Sequence, residues 1–275
     1  MAEAELVVSL EGDFPVTLVG GKASALAAAA AAKLPVPWGF AVTTAGMSAL
    51  GEPALKAEVD RALGDGGPGL FAVRSSAVDE DSAETASAGV YRTMLGVPAQ
   101  GVHDALGSVG ESAHSSRALA YRSKHELAEP ARMGAVVQSM VLADAAGVAF
   151  SRHPVDGRPV FLIESVWGLG ESVVSGTVTP DQFLLEQLDA DPHVTPARKA
   201  SELRFVDGSI QEVPISAGRR DRPSLDSAAA RAVAALAAQC EQLAGGPCEV
   251  EWAQKDGVLF LLQFRPLTAA NPLIP

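Results

Sequence analysis

The chain has 275 residues, 48 % of them hydrophobic and 20 % charged, which suits one large domain or two lobes with a sizeable core. Acidic residues outnumber basic ones 33 to 21, giving a net charge of −12, so a nucleic-acid or anionic-membrane surface is not expected, although a local basic pocket for phosphate needs only a few cations. The two cysteines, Cys240 and Cys248, suggest neither a disulfide framework nor a zinc site, the start lacks a basic n-region, and no apolar run is long enough to span a bilayer. Together these features predict a cytoplasmic globular protein.

In chain order, Glu5 to Leu10 reads as a short strand. Gly20-Gly21-Lys22 is a glycine turn opening an alanine-rich helix from Ala23 to about Ala32. Pro35-Val36-Pro37 holds the chain extended, and Phe40 to Thr43 is a strand. Met47 to Leu63 gives one or two helices, broken at Gly51 and Pro53. Leu70 to Ser76 is a strand ending in polar sequence, Asp79 to Gly89 a loop, and Tyr91 to Val97 another strand. His103 to about Leu127 is mostly helical. Gly134 to Met140, Gly147 to Ser151 and Pro159 to Glu164 are strands, and Phe183 to Gln187, Leu203 to Val206 and Ile210 to Val213 are weaker ones. Leu225, Ala229, Val233, Leu236, Cys240 and Leu243 recur at helical spacing and stop at Gly245-Gly246. Strands and helices mix without strict alternation, which predicts an α+β fold.

A hairpin closes the pattern, Cys248 to Ala253 returning as Leu259 to Pro266. Alternation puts Glu249 and Glu251 on one face of the first strand, and Gln263 and Arg265 on one face of the second. A two-residue Asp256-Gly257 loop would turn Gln263 to the Val250 face, whereas a three-residue loop, Lys255-Asp256-Gly257 with Gly257 left-handed, pairs Glu249 with Gln263 and sets all four on one face, so the three-residue loop is expected. Two carboxylates, an amide oxygen and a guanidinium in that arrangement suit Mg²⁺ and a polyphosphate; they equally suit a solvated strand face.

Other polar residues raise the same pair of readings. Gly20-Gly21-Lys22 fails as a P-loop because Val16 holds the first glycine position and Ala23 the metal-binding one. Gly168-Leu169-Gly170 fails as a dinucleotide fingerprint because Val173 replaces the third glycine. Yet Lys22 lies at a helix N-terminus, where free N–H groups favour phosphate. Arg74 ends an apolar strand, ready to fork onto phosphate oxygens or to pair with Asp79 or Asp81. Gln138 interrupts an apolar strand and suits an adenine edge or simply solvent. The five histidines are scattered and no nucleophile–base pair stands out.

Taken together, the segments resemble a known family. Val19 to Ser24 with Leu34 to Thr44, Val73-Arg74-Ser75-Ser76-Ala77 with Glu80-Asp81, Val136 to Val141 with Ala146 to Ser151, Glu164 with Trp167 to Glu171 and Val174 to Asp181, and Glu249 to Trp252 with Leu262 to Thr268 stand in the order of the nucleotide-binding domain of phosphoenolpyruvate synthase. Pyruvate phosphate dikinase and rifampin phosphotransferase share that ATP-grasp domain. The resemblance implies ATP and Mg²⁺ bound between an N-terminal lobe of about residues 1–130 and a C-terminal lobe of about 131–275. It implies that Lys22 and Arg74 bind phosphates, with Gly89 and Thr93 in the loop that covers them. Gln138, Met140 and Val141 would border the adenine; Glu251 and Gln263, with Glu249 close by, would hold Mg²⁺; Arg265 would reach the terminal phosphates and, with Lys22 and Arg74, stabilise charge in transfer.

Three departures shape the expected activity. The chain stops soon after Arg265 and contains no carrier histidine, so the full dikinase cycle is not expected of it alone. The stretch from Thr44 to Leu70 is short, and Ser87 stands where an aromatic residue is common. The expectation is a free-standing ATP- and Mg²⁺-dependent phosphotransferase acting on a small-molecule acceptor. Its alternatives are an ATP-binding subunit that phosphorylates a histidine on a separate carrier protein, and a non-catalytic nucleotide-binding module.

Overall fold

A computed structural model describes residues 5–66, 69–79, 90–127 and 131–267. The chain divides into two compact units, Met1–Lys33 with Pro37–Met140, and Leu34–Val36 with Val141–Pro275. The division falls after Met140, about ten residues beyond the expected point, because residues 133–139 form an inner strand of the first unit's sheet.

The first unit contains β1 (Val7–Ser9), α1 (Val16–Val19), α2 (Gly21–Ala31), β2 (Gly39–Val42), α3 (Thr44–Ser48), α4 (Pro53–Gly66), β3 (Leu70–Ala77), β4 (Thr93–Pro98), α5 (Val102–Ser112), α6 (Ser116–Lys124) and β5 (Met133–Ser139). Its sheet runs β1-β2-β5-β3-β4, with every neighbouring pair antiparallel. Alternation gives the sheet two unlike faces. Phe40, Val42, Phe71, Val73, Ala135 and Val137 form one face, buried with Leu55 and Val59 of α4 and Val102, Leu106 and Val109 of α5. Each large apolar side chain buried there contributes about 1.5–3 kcal/mol. The other face carries small residues, Gly39, Ala41, Ala72 and Gly134, and the polar Arg74, Ser76 and Gln138. Small size is required: a Cβ on Gly134 would lie 2.4 Å from the Val19 carbonyl oxygen, so the turn into α2 rests directly on the strand.

The second unit contains β6 (Ala145–Phe150), β7 (Phe161–Trp167), α7 (Glu171–Val174), β8 (Asp181–Leu185), β9 (His193–Thr195), β10 (Ser201–Val206), β11 (Ser209–Pro214), α8 (Ala217–Arg220), α9 (Ser227–Ala244), β12 (Cys248–Lys255) and β13 (Val258–Pro266). Six strands run in the order β13-β12-β6-β7-β8-β9, again all antiparallel, and β10-β11 is a separate hairpin. Helix α9 starts where Asp226 accepts a hydrogen bond from the Ala229 N–H at 2.8 Å, and ends at left-handed Gly245 (φ 69°). Its buried positions are Ala230, Val233, Ala234, Leu236, Ala237 and Cys240, whereas Leu243, expected on the same stripe, is exposed. The helix packs against β12, β13, β6, β7 and β8, whose buried side chains include Val250, Trp252, Phe264, Ala149, Ile163 and Phe183. At the edge of that layer the fully buried Asp181 carboxylate accepts from the Ala197 N–H, from Ser224 N and Oγ, and from Lys199 Nζ. A charge removed from water needs such partners.

The Pro35 segment belongs to this unit: the Leu261 N–H of β13 donates to the Pro35 carbonyl at 2.9 Å. Strand β7 extends three residues past Glu164, and β9, α7 and α8 carry too few residues to show a period in the sequence. Among the described residues no helix is long and apolar enough to cross a membrane.

Candidate active site

In the first unit, several of the polar residues singled out in the sequence share the small-residue face of the sheet. Arg74 on β3 lies opposite Thr93 on β4 and opposite Val136 on β5. Gln138 on β5 lies opposite Ala72 on β3 and Gly39 on β2, on the same face as Arg74. Lys22 is the second residue of α2, and the helix start is fixed to this face by two contacts. The Ala23 N–H donates to Ser76 Oγ at 3.0 Å, and Gly20, with φ 81°, lies so close to β3 that a Cβ there would fall 1.7 Å from the Ser76 carbonyl oxygen. Ser76 is two residues beyond Arg74, so Lys22 and Arg74 are anchored within one or two residues of a common hydrogen bond.

Gln138 is 1 % exposed, and its Nε2 has no hydrogen-bond partner among the described residues. A buried amide N–H left unmade costs about 1–3 kcal/mol, so the group is fit to receive an acceptor such as an adenine ring nitrogen. Met140 and Val141 follow directly at the junction of the two units. Met140 donates its N–H to Leu70 and accepts at Sδ from the Gly96 N–H at 3.0 Å, while the Val141 carbonyl accepts from Ala143. Gly89 lies outside the described residues.

Sequence reasoning missed Arg122. Its side chain is 1 % exposed on α6, and one guanidinium nitrogen lies 2.7 Å from Asp79 Oδ2 and donates to Tyr91 Oη at 3.1 Å. Burial lowers its pKa, but the hydrogen bonds and charges of Tyr91 and Asp79 outweigh this and leave it raised. Asp79 and Tyr91 flank residues 80–90, so one buried cation ties the two ends of that segment. Asp79, weighed above as a partner of Arg74, thus pairs with Arg122. The only signal in the sequence is Arg122 four residues after the buried Ala118, on the inward face of its helix.

In the second unit the hairpin β12–β13 differs from expectation at its turn. Lys255 pairs with Val258, leaving a two-residue turn with Asp256 (φ 50°) and Gly257 (φ 77°) both left-handed. Aspartate tolerates that region, and the two-residue turn matches the twist of the strands. It is also held from outside: Asp144 accepts from the Asp256 N–H at 2.9 Å and from Lys255 Nζ at 3.0 Å. The Asp256 N–H first, then Lys255, hold the Asp144 carboxyl below the usual carboxylate range.

The parity reasoning that demanded a three-residue loop assumed an unbroken ladder. The ladder instead shifts between Glu251 and Trp252. Trp252 pairs with Leu261 and Glu251 with Gln263, so Leu262 is an extra, bulged residue. Beyond the bulge Glu249 lies opposite Arg265, not Gln263, and all four polar residues share one face. Arg265 Nη2 lies 3.1 and 3.0 Å from the two Glu249 oxygens, with the side chains 12 % and 8 % exposed. Glu251 and Gln263 face each other one step nearer the turn. Among the described residues no three His, Cys, Asp or Glu side chains converge as a cation cage. Two opposed oxygen donors still fit Mg²⁺, which commonly takes one or two protein oxygens and fills its octahedron with phosphate and water.

Residues 54–272 match the family model described as pyruvate phosphate dikinase, AMP/ATP-binding domain. The chain belongs to this family. Membership carries the ATP-grasp class with it, in the α+β form described above, and makes the chain an ATP-binding domain. Prodigiosin synthesizing transferase PigC of Serratia marcescens is 35 % identical over 98 % of this chain and 34 % of its own length. Rifampicin phosphotransferase of Streptomyces sviceus is 34 % identical over 80 % of this chain and 26 % of its own. A probable phosphoenolpyruvate synthase of Methanothermobacter thermautotrophicus is 35 % identical over 72 % of this chain and 29 % of its own. The chain thus spans about a third or less of the curated relatives it matches.

Proposed function

We propose that this chain is the ATP-using part of an ATP- and Mg²⁺-dependent phosphotransferase, passing a phosphoryl group from ATP to a small-molecule acceptor. The observation that carries the reading is the polar face of the hairpin, where Glu251 opposes Gln263 and Arg265 is held by Glu249. It is supported by the Lys22 helix start and Arg74 on one face of the first unit's sheet, and by relatives named as a phosphotransferase and a probable synthase.

The reading gives each of these residues a part in holding the nucleotide. Gln138 would give its buried Nε2 to the adenine, with Met140 and the backbone of Val141 beside the ring. Lys22 and Arg74 would hold phosphate oxygens, with Gly89 and Thr93 covering them. Glu251 and Gln263 would hold Mg²⁺, Glu249 lying next to them against Arg265. Bound there, the cation would neutralise charge on the β- and γ-phosphates. Arg265 would follow the charge that spreads over the γ-phosphoryl oxygens as the bond to the leaving phosphate lengthens. Phosphoryl transfer needs positioning and charge stabilisation more than covalent chemistry by the protein, and these side chains supply both.

A second reading, in the same family, makes the acceptor a histidine of a carrier protein. Pure protein incubated with ATP and Mg²⁺, alone and with candidate acceptors, tests both. A phosphorylated small molecule, with ADP or AMP released, supports the first reading; phosphohistidine formed on an added carrier protein supports the second. Arg265→Ala is expected to abolish turnover while the protein stays folded. Failure to bind ATP refutes the reading.

A further inference from the structure

A cleft of about 220 Å³ opens in the first unit between α4 and the edge strand β1. It lies on the side of the sheet that carries Phe40, away from the face of Arg74 and Gln138. Glu58, Arg61, Ala62 and Asp65 line it from α4, at the steps of three and four that form one helix face. The indole of Trp38 is a fixed wall. It meets the rings of Phe40 at 6.0 Å and Phe71 at 6.3 Å, both edge-on, and a Cβ on Gly66 would fall 2.2 Å from it.

Strand β1 leaves backbone groups open to this cleft. The Leu10 N–H donates to the Gly39 carbonyl and the Thr43 N–H to the Leu6 carbonyl, so alternate residues face β2 and the backbone of Val7 and Ser9 faces the outer edge. Glu58 Oε2 accepts from the Val7 N–H at 3.1 Å. The Val7 carbonyl and the Ser9 N–H make no hydrogen bond among the described residues. Arg61 follows Glu58 by three residues and precedes Asp65 by four, spacings at which helices pair opposite charges. Among the described residues it pairs with neither, and the exposed Asp65 is unpaired too.

The cleft thus offers two donors, the Arg61 guanidinium and the Ser9 N–H, and two acceptors, the Asp65 carboxylate and the Val7 carbonyl, beside an indole ring. Its volume is below the roughly 300 Å³ at which pockets for drug-sized ligands begin, and suits a molecule the size of one residue. A carboxylate and an ammonium on one carbon, with an apolar side chain, have the matching pattern. A peptide in the same place would present amides to Arg61 and Asp65 and leave both charges unmatched.

We propose that this cleft binds a free α-amino acid with an apolar side chain. Its carboxylate lies on Arg61 and the Ser9 N–H, its ammonium on Asp65 and the Val7 carbonyl, and its side chain on Trp38. None of these residues belongs to the nucleotide site, so the proposal stands independently of the ATP reading.

Ligand-observed NMR titration of L-phenylalanine and of L-leucine into the whole chain, without nucleotide, tests this. At least one is expected to bind with a Kd of about 1 mM or tighter. A hydrogen bond to a charged group corresponds to roughly tenfold or more in affinity, so the N-acetyl and the carboxamide derivatives of that amino acid should each bind at least about tenfold weaker. Arg61→Gln and Asp65→Asn, both at exposed positions, should weaken binding by about the same factor. Ala62→Phe, which fills the cleft, should abolish it. The proposal is overturned if neither amino acid binds at about 10 mM, or if Arg61→Gln and Asp65→Asn bind as wild type does. It is equally overturned if the capped derivatives bind as well as the free amino acid, which would assign the cleft to a peptide or an amine.

Discussion

Removing the carboxylate of Glu249 is expected to destabilise the second unit by several kcal/mol. Both of its oxygens lie within 3.1 Å of Arg265 Nη2, and neither side chain is more than 12 % exposed. At 3.0 Å and an effective dielectric constant near 20, the attraction is about 5 kcal/mol. Removing one member of a buried, hydrogen-bonded pair costs about 3–5 kcal/mol. For a protein of this size that lowers the melting temperature by roughly 6–20 °C. Glu249→Ala followed by differential scanning calorimetry measures it. The double replacement Glu249→Met with Arg265→Met should recover most of the loss, since two apolar side chains leave no orphaned charge. That double variant should also have no phosphoryl-transfer activity, which separates the stabilising role of the pair from the chemical role of Arg265. The reasoning is refuted if Glu249→Ala melts within about 1 °C of wild type, or if the double variant melts no higher than the single one.

Both cysteines are buried, and burial pushes the Cys240 and Cys248 thiols up to about 12. They should resist a thiol-specific reagent at pH 8 and react together once urea unfolds α9 and β12; rapid labelling of the native protein would contradict this packing. Asp144 is held below its ordinary value by the Asp256 N–H and Lys255. Its contribution is therefore complete above the unfolded carboxylate value near about 4 and declines as pH falls through the depressed folded value. Urea titrations should show Asp144→Asn less stable than wild type at pH 7 and the two converging at low pH. Gly20→Ala would add a strained positive φ and an overlap with the Ser76 carbonyl, together about 2–5 kcal/mol, and should weaken ATP binding through Lys22. Gly257→Ala, where nothing lies within 4 Å of an added Cβ, should cost only about 1–2 kcal/mol. Thermal melts of the two variants, with an ATP titration of the first, measure the contrast.

Much of this architecture was legible because period and punctuation agree. The step-of-three-and-four pattern of Val233, Leu236 and Cys240 and the glycines after it locate α9. The hydrophobic runs around Val73 and Val137 locate the two inner strands that carry Arg74 and Gln138. Short elements were not legible: β9 and α7 have three and four residues, fewer than a pattern needs. Arg122 was hidden for another reason. Its partners, Asp79 and Tyr91, lie 43 and 31 residues away, and nothing local marks an arginine for burial. The hairpin failed in an instructive way. The facing of its four polar residues was readable, but the turn was inferred from parity alone, and parity is silent about a bulge.

The bulge at Leu262 gives the hairpin one residue of slack in phase. The ladder from the turn to Trp252 and Leu261 and the ladder from Glu251 and Gln263 onward are each regular, and only the step between them absorbs the odd residue. A chain shortened by Leu262 alone would run as one continuous ladder, with Glu249 still opposite Arg265 and Glu251 still opposite Gln263. Length at that position can change without turning a single polar group away, whereas the loss of one residue from β12 between Cys248 and Glu251 would invert Cys248 or Glu249 relative to their neighbours. Insertions and deletions in this segment should therefore be tolerated at the bulge and not in the strand that faces it.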